Sequence, residues 1–142
     1  MSGRRESARD AWLLMFEFFE SQKNAFFALA EECGVTPIQL HLLRALDTVE
    51  FVPMGQTVVA RACDRSTLTR LVDRLVSEGL VERRESEIDR RVKEIRLTAK
   101  GGECRDRIDA RLKTPPRAMA QLSEEDLQAL IEILGRVVRT ES

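Results

Sequence analysis

Hydrophobic positions along the chain keep helical spacing at first, then alternate, then return to helical spacing. Between about Ser7 and Glu32, Trp12, Met15, Phe16, Phe19, Phe26 and Ala30 form one stripe, which predicts a long amphipathic helix. Leu13, Phe18, Phe27 and Leu29 widen that stripe, and five of the six phenylalanines lie in this segment. That is more apolar surface than one helix face of a small monomer needs. A subunit interface, the wall of a ligand cavity and ordinary core each account for it. Gly34 stops this helix, and Thr36-Pro37 starts the next with a capping residue and a first-turn proline. Ile38, Leu42, Ala45 and Leu46 mark its buried face. Phe51 to Pro53 reads as a short extended piece, Met54 to Ala62 as a helix, and Cys63-Asp64 as a turn. A further helix runs from Arg65 to Glu78 and ends at Gly79.

The period then changes. Leu80 to Arg84 and Val92 to Leu97 read as strands, with Ile95 and Leu97 alternating with charged neighbours. The connecting loop, Glu85 to Arg91, is almost wholly charged. Thr98 opens a helix that lasts to Pro115-Pro116. Ser123-Glu124-Glu125-Asp126 has the hydroxyl cap and acidic first turn of another. Its stripe is Leu127, Leu130, Ile131, Leu134, Val137 and Val138.

Composition narrows the classes. The 142 residues suit one domain, and 43% apolar with 33% charged residues suits helices with charged outer faces. A formal net charge of −1 means that affinity for nucleic acid must come from local placement of charge. Met1 to Asp10 has no apolar core of a signal peptide, and no run approaches the roughly 18 apolar residues of a membrane span. A cytoplasmic protein without a membrane partner is expected. Cys33, Cys63 and Cys104 form no Cys-x-x-Cys pair, and His41 is the single histidine, so neither a metal site nor a cofactor is expected. No set of Ser, His and Asp with workable spacing, phosphate-cradling glycine loop or pair of acids in an apolar setting points to an enzyme.

The segment Met54 to Thr98 carries the chemistry. A helix that reads base edges needs one packed face and one small polar face to enter a major groove about 12 Å wide. The helix at Arg65 to Glu78 has both. Leu68, Leu71, Val72 and Leu75 lie on one side, and Ser66, Thr69, Arg70, Asp73 and Ser77 on the other. Arg70 has the reach for a guanine edge or a phosphate. Asp64 is placed to cap the helix, whose first-turn N–H groups suit a phosphate. Asp73 would repel phosphate unless an arginine pairs with it. From Arg61 to Arg96 there are ten basic and eight acidic residues, too small an excess to decide anything. The loop tip is the stronger signal, because Asp89-Arg90-Arg91 projects two arginines from a hairpin, a device suited to a narrow minor groove. Taken singly, an amphipathic surface helix and a solvated charged loop account for the same residues.

Together, the run Asp64 to Leu75 followed by Glu78-Gly79-Leu80-Val81-Glu82-Arg83 resembles the recognition helix and first wing strand of the MarR family of bacterial regulators. The run Asp89-Arg90-Arg91, then Leu97-Thr98 and Gly101, is similar to that family's wing signature in type and spacing. The resemblance covers about a third of the chain and implies a mainly α fold with a small β-hairpin wing, an α+β winged helix-turn-helix. Residues 36–98 would be the DNA-binding region, and residues 1–35 and 99–142 a helical dimerisation region formed by the N- and C-terminal helices. It further implies a homodimer on a pseudo-palindromic double-stranded DNA operator, most often as a repressor released by a small aromatic or lipophilic effector. By the motif match, Arg65, Ser66, Thr67, Thr69, Arg70 and Arg74 would face the major groove. Arg90 and Arg91 would sit at the minor groove, with Asp89 orienting the wing. Thr57 and Arg61 stand where the family usually carries apolar residues, so packing there is expected from Met54, Val58 and Ala62.

For an effector, Phe16, Phe19, His41 and Arg44 are candidate wall residues. Cys63 and Cys104 read as packing residues. No cysteine precedes Cys33 and the chain lacks tyrosine, which disfavours the family's peroxide-sensing arrangement near the start of the first helix. A thiol-oxidation-responsive regulator, and a winged helix that binds only protein, are the alternative readings.

Overall fold

The computed structural model describes residues 2–141. In chain order the helices are α1 (Ser2–Glu32), α2 (Pro37–Ala45), α3 (Arg65–Ser77), α4 (Ala99–Leu112), α5 (Arg117–Ala120) and α6 (Glu124–Glu141). The strands are β1 (Val52–Pro53), β2 (Val81–Glu85) and β3 (Lys93–Leu97). The fold is mainly helical with one small antiparallel sheet, ordered β1-β3-β2. The described residues divide into two compact units, one ending at Asp109 and the other starting at Ala110.

In the first unit, α1 begins at Ser2, ahead of the expected Ser7. Arg4, Arg5 and Glu6 are good helix formers, and the Ser7 hydroxyl bonds back to Gly3 O (2.8 Å). α1 and α3 end by the same device. Gly34 (φ 68°) and Gly79 (φ 71°) take the left-handed conformation. In each case the next residue's N–H reaches back five residues, Val35 to Ala30 O (3.0 Å) and Leu80 to Leu75 O (2.9 Å). These are Schellman turns, and both place an apolar residue, Val35 or Leu80, in the core.

Thr36 and Gln39 form the capping box that opens α2. Gln39 is buried, and its Nε2 donates to Leu71 O (3.3 Å), joining α2 to α3. Leu40 and Leu43 are fully buried as well as Leu42, while Ala45 is exposed. This short helix is enclosed by α1, α3 and the segment after β1, so its apolar arc is wider than one stripe.

The expected helix at Met54 to Ala62 is instead two 3₁₀ turns, Met54–Gln56 and Val58–Arg61. Thr57 between them is extended (φ −71°, ψ 152°), and its hydroxyl bonds to Met54 O (2.8 Å). A glycine followed by three β-branched residues disfavours a continuous α-helix here. The segment packs through Met54, Thr57 and Val59. Val58 is 59% exposed and Ala62 is exposed, which corrects the packing expected of them.

The sheet holds the wing in register. Val81 faces Leu97, Arg83 faces Ile95 and Glu85 faces Lys93. Val52 faces Ile95 on the other edge, so the extended piece becomes a third strand. Ile95 and Leu97 are buried. α4 follows at once, with Thr98 Oγ1 accepting from the Gly101 N–H (3.0 Å).

In the second unit, Ser123 caps α6 by accepting from the Asp126 N–H (3.1 Å). No α6 residue is buried. Ile131, Val137 and Val138 of its stripe are exposed, and the single-turn α5 adds a helix between Pro116 and Ser123 that the hydrophobic pattern does not mark.

A Cβ on Gly101 would lie 1.9 Å from Leu80 O, inside covalent-scale repulsion. Gly101→Ala therefore lowers the unfolding free energy by about 1–3 kcal/mol or more, read as a lower urea midpoint. A Cβ at Gly3 meets nothing within 4 Å, so Gly3→Ala leaves the midpoint unchanged or slightly raised.

Candidate nucleic-acid interface

α3 is seated by Leu68, Val72 and Leu75, all buried, with Leu71 and Val76 half-buried beside them. At about 100° per residue, Ser66, Arg70, Asp73 and Ser77 then share an outward arc of about 60°, and all four are exposed. Arg65, Thr69 and Arg74 are exposed on the flanks, and Thr67 is half-buried.

Asp64 is the N-cap, and its side chain accepts from the Thr67 N–H (2.8 Å) and the Ser66 hydroxyl (2.8 Å). These bonds, the Thr67 N–H foremost, hold its carboxyl below the ordinary 3.8. The carboxylate thus occupies the helix end that the sequence left open for a phosphate. Thr69 Oγ1 donates to Arg65 O (2.9 Å) and Ser77 Oγ to Arg74 O (3.0 Å). The hydroxyl protons on this face are therefore spent locally, and its long-reach donors are the arginines.

Charge is allotted unevenly. Asp73, the one acid on the outward arc, pairs with Arg83 of β2. Arg84 pairs with Glu94 (2.9 Å), Arg96 with Glu82 (3.2 Å) and Lys93 with Glu85 (2.9 Å). The guanidinium carbons of Arg84 and Arg96 also lie 3.8 and 4.3 Å from the Phe51 ring centroid. Phe51 therefore braces the wing base, a role nothing in its local sequence signals. Among the described residues, Arg65, Arg70 and Arg74 of α3 and Arg90 of the wing form no ion pair.

At the wing tip, Asp89 accepts from the Arg91 backbone N–H (3.0 Å) and binds its guanidinium through both oxygens (3.2 and 3.3 Å). The Arg91 side chain, ahead of its N–H, holds the Asp89 carboxyl below its ordinary value. Asp89 thus ties the backbone and the side chain of Arg91 together within the loop.

The candidate effector residues do not converge. Phe16 and Phe19 are 52% and 67% exposed on α1. His41 lies against Phe26 (5.5 Å between ring centroids), and Arg44 pairs with Asp109 of α4 (3.1 Å). Two clefts lie elsewhere. One of about 430 Å³ is lined by Met54, Thr69, Arg83, Arg84, Glu85 and Lys93. The other, about 330 Å³ and more apolar, lies between Phe27, Ala30, Val35, Pro37 and Arg74.

The cysteines are free. Cys63 is half-buried, its Sγ bonded to Val59 O (3.3 Å). Burial, and then the neighbouring Cys33 thiol, push the Cys104 thiol up to about 11. Among the described residues no three His, Cys, Asp or Glu side chains group to hold a metal ion, and no helix is long and apolar enough to cross a membrane.

A pair of packed 3₁₀ turns leading into a helix with one buried and one exposed face, followed directly by a hairpin that a third strand holds, defines a winged helix-turn-helix protein. Known proteins agree. A model of the MarR family matches residues 34–92. An uncharacterized HTH-type transcriptional regulator, YdgJ of Bacillus subtilis, is 31% identical over 112 residues, 75% of this chain and 66% of its own length. The chain thus spans slightly less than two thirds of that relative. Among solved structures, the YusO protein from Bacillus subtilis shares the fold at a TM-score of 0.75 and 24% identity, over 94% of this chain and 96% of that one. The reduced form of MarR from E. coli does so at 0.73 and 21%, over 87% and 93%. Residues 34–92 thus match the MarR family, and the fold is the one these solved structures share.

Two outcomes follow from these local environments. Asp64→Ala lowers the thermal midpoint at pH 7 through loss of the cap. The native state holds this carboxyl below 3.8, so its contribution is complete above that pH and fades as pH falls through the native value. Melts taken down a pH series will show parent and variant converging in acid. Cys104, with its thiol near 11, will resist maleimide at neutral pH until the chain unfolds. Peptide mass spectrometry with and without urea reads this directly.

Proposed function

We propose that the chain is a DNA-binding transcriptional regulator that acts as a homodimer on a pseudo-palindromic duplex. The observation that carries this is the distribution of unpaired cations. Arg65, Arg70 and Arg74 stand unpaired on the exposed side of α3, and Arg90 on the adjacent wing, while Asp73 and the sheet cations neutralise one another. Unpaired guanidinium groups on a small-residue helix suit phosphates and guanine edges of the major groove. Ser66, Thr67 and Thr69 let the backbone approach closely. Arg91, 91% exposed while bound to Asp89, suits the minor groove beside the wing.

Two further parts of this reading have their own support. α1 presents Trp12, Leu13, Leu14, Met15, Phe16, Phe18 and Phe19 to solvent, a surface that a second copy would cover. α6 presents Ile131, Ile133, Val137 and Val138, an independent apolar face of the same kind. Repression relieved by a small aromatic or lipophilic effector is the mode we favour. The apolar cleft beside Arg74 offers such a molecule a place next to the recognition helix.

Affinity for a duplex selected from random-sequence DNA will fall linearly in log–log form with salt, because phosphate contacts release counterions. Arg70→Ala will weaken binding by about 1–3 kcal/mol, and Arg91→Ala will reduce the salt slope by about one. Sedimentation will show two chains per particle. A winged helix that binds only protein would leave both arginine variants indistinguishable from the parent.

A further inference from the structure

The wing tip is electrically balanced, since Glu87 and Asp89 offset Arg90 and Arg91. Charge alone therefore does not determine what this tip does in a groove. Its most prominent side chain is uncharged, because Ile88 is 97% exposed, more than any other large hydrophobic residue described. An isolated exposed aliphatic residue is common on protein surfaces. Ile88 differs in how firmly the loop presents it. On one side, buried Ser86 accepts the Ile88 N–H on its Oγ (3.3 Å) and donates its own N–H to Val92 O (2.9 Å). On the other, Asp89 O accepts from the Val92 N–H (2.9 Å), and the Asp89 carboxylate accepts from the Arg91 N–H (3.0 Å). Both flanks of Ile88 are thus pinned by side-chain-anchored turns. Its β-branched side chain is stiff at χ1, so contact costs little rotamer entropy.

We propose that Ile88 is a minor-groove specificity residue, seated against the sugar walls and base edges of duplex DNA beside Arg90 and Arg91. The inference rests on the DNA-binding reading above. A minor groove about 6 Å wide admits an aliphatic side chain. Across its floor, A·T pairs present only acceptors, whereas G·C pairs add the guanine 2-amino group. An aliphatic group cannot accept that donor's hydrogen bond and occupies its space. Ile88 therefore favours A·T pairs at the step it touches, by exclusion of one amino group and without any hydrogen bond.

The test uses the full-length protein and a duplex selected from random-sequence DNA, with the wing-contacted pairs located by hydroxyl-radical footprinting. Those pairs are then built as A·T, G·C or inosine·C, which keeps the major-groove face of G·C but lacks the 2-amino group. The parent will bind A·T and inosine·C duplexes about equally, and about fivefold or more tighter than G·C. Ile88→Ser will bind all three alike, with an unchanged salt slope and an unchanged melting midpoint. Arg91→Ala will keep the preference while lowering the slope. Equal binding of the three duplexes by the parent, or a preference that survives in Ile88→Ser, overturns the role of Ile88 and leaves the DNA-binding reading intact. No salt-sensitive binding to any duplex overturns that reading itself.

Discussion

Three consecutive carbonyls, those of Glu78, Gly79 and Leu80, are the constraint on which the arrangement of helix and wing depends. They follow α3, where the chain must stop being helical and become a strand. Each is taken by the start of α4. Lys100 Nζ donates to Glu78 O (2.8 Å), Thr98 Oγ1 to Gly79 O (2.6 Å) and the Thr98 N–H to Leu80 O (3.1 Å). Gly101 lets the helix press close enough for this, since any side chain there would collide with Leu80 O. Gly79 permits the left-handed turn that sends Leu80 inward. Three backbone acceptors that follow the helix are thereby satisfied, and the same bonds fix the direction in which β2 leaves α3. The spacing between the exposed face of α3 and the tip of the wing is inherited from this junction.

Charge allocation on that frame explains how a chain with a net charge of −1 can carry a surface fit for a polyanion. The sheet is rich in both signs, and its ladder sets opposite charges against each other, as with Glu85 and Lys93 or Arg84 and Glu94. Exposed pairs of this kind contribute little to stability. Their effect is to remove carboxylates from competition, most clearly at Asp73, whose partner Arg83 comes from the neighbouring strand. On α3 itself this leaves Arg65, Arg70 and Arg74 without a paired acid while Asp73 is taken, and on the wing tip it leaves Arg90. Net charge averages over this distinction and so conceals it.

Much of this was legible in the sequence because the relevant physics is local. Helix stops at Gly34 and Gly79, the caps at Thr36, Asp64 and Ser123, and the alternation at Ile95 and Leu97 each depend on a few neighbouring residues. The packed and exposed faces of α3 and the loop Asp89-Arg90-Arg91 were legible for the same reason. Long-range pairings were not. Nothing near Asp73 in sequence announces Arg83, nothing near Phe51 announces Arg84 and Arg96, and Cys33 and Cys104 meet from distant segments. The misread helix at Met54 to Ala62 shows a different limit. Its apolar spacing fits a helix, but the Thr57 hydroxyl competes for Met54 O and breaks the run. The effector residues went unmatched because aromatic spacing on α1 records an apolar face without recording what faces it.

That last point bears on what the hydrophobic pattern of α1 encodes. Its apolar residues divide by position. From Phe26 onward, Phe26, Leu29, Ala30 and Cys33 join the core of the first unit, and the pattern is satisfied within the chain. Before that, Trp12 to Phe19 keep the same periodicity and remain exposed. A periodic stripe has no reason to continue through a stretch that packs against nothing, since exposed aromatic side chains lower solubility and favour aggregation. Trp12 and Phe16 lie 6.5 Å apart between ring centroids, which shields only a small part of that surface. The stripe is therefore the support this chain offers for the proposed second copy, and its division near Phe26 marks where packing within the first unit ends.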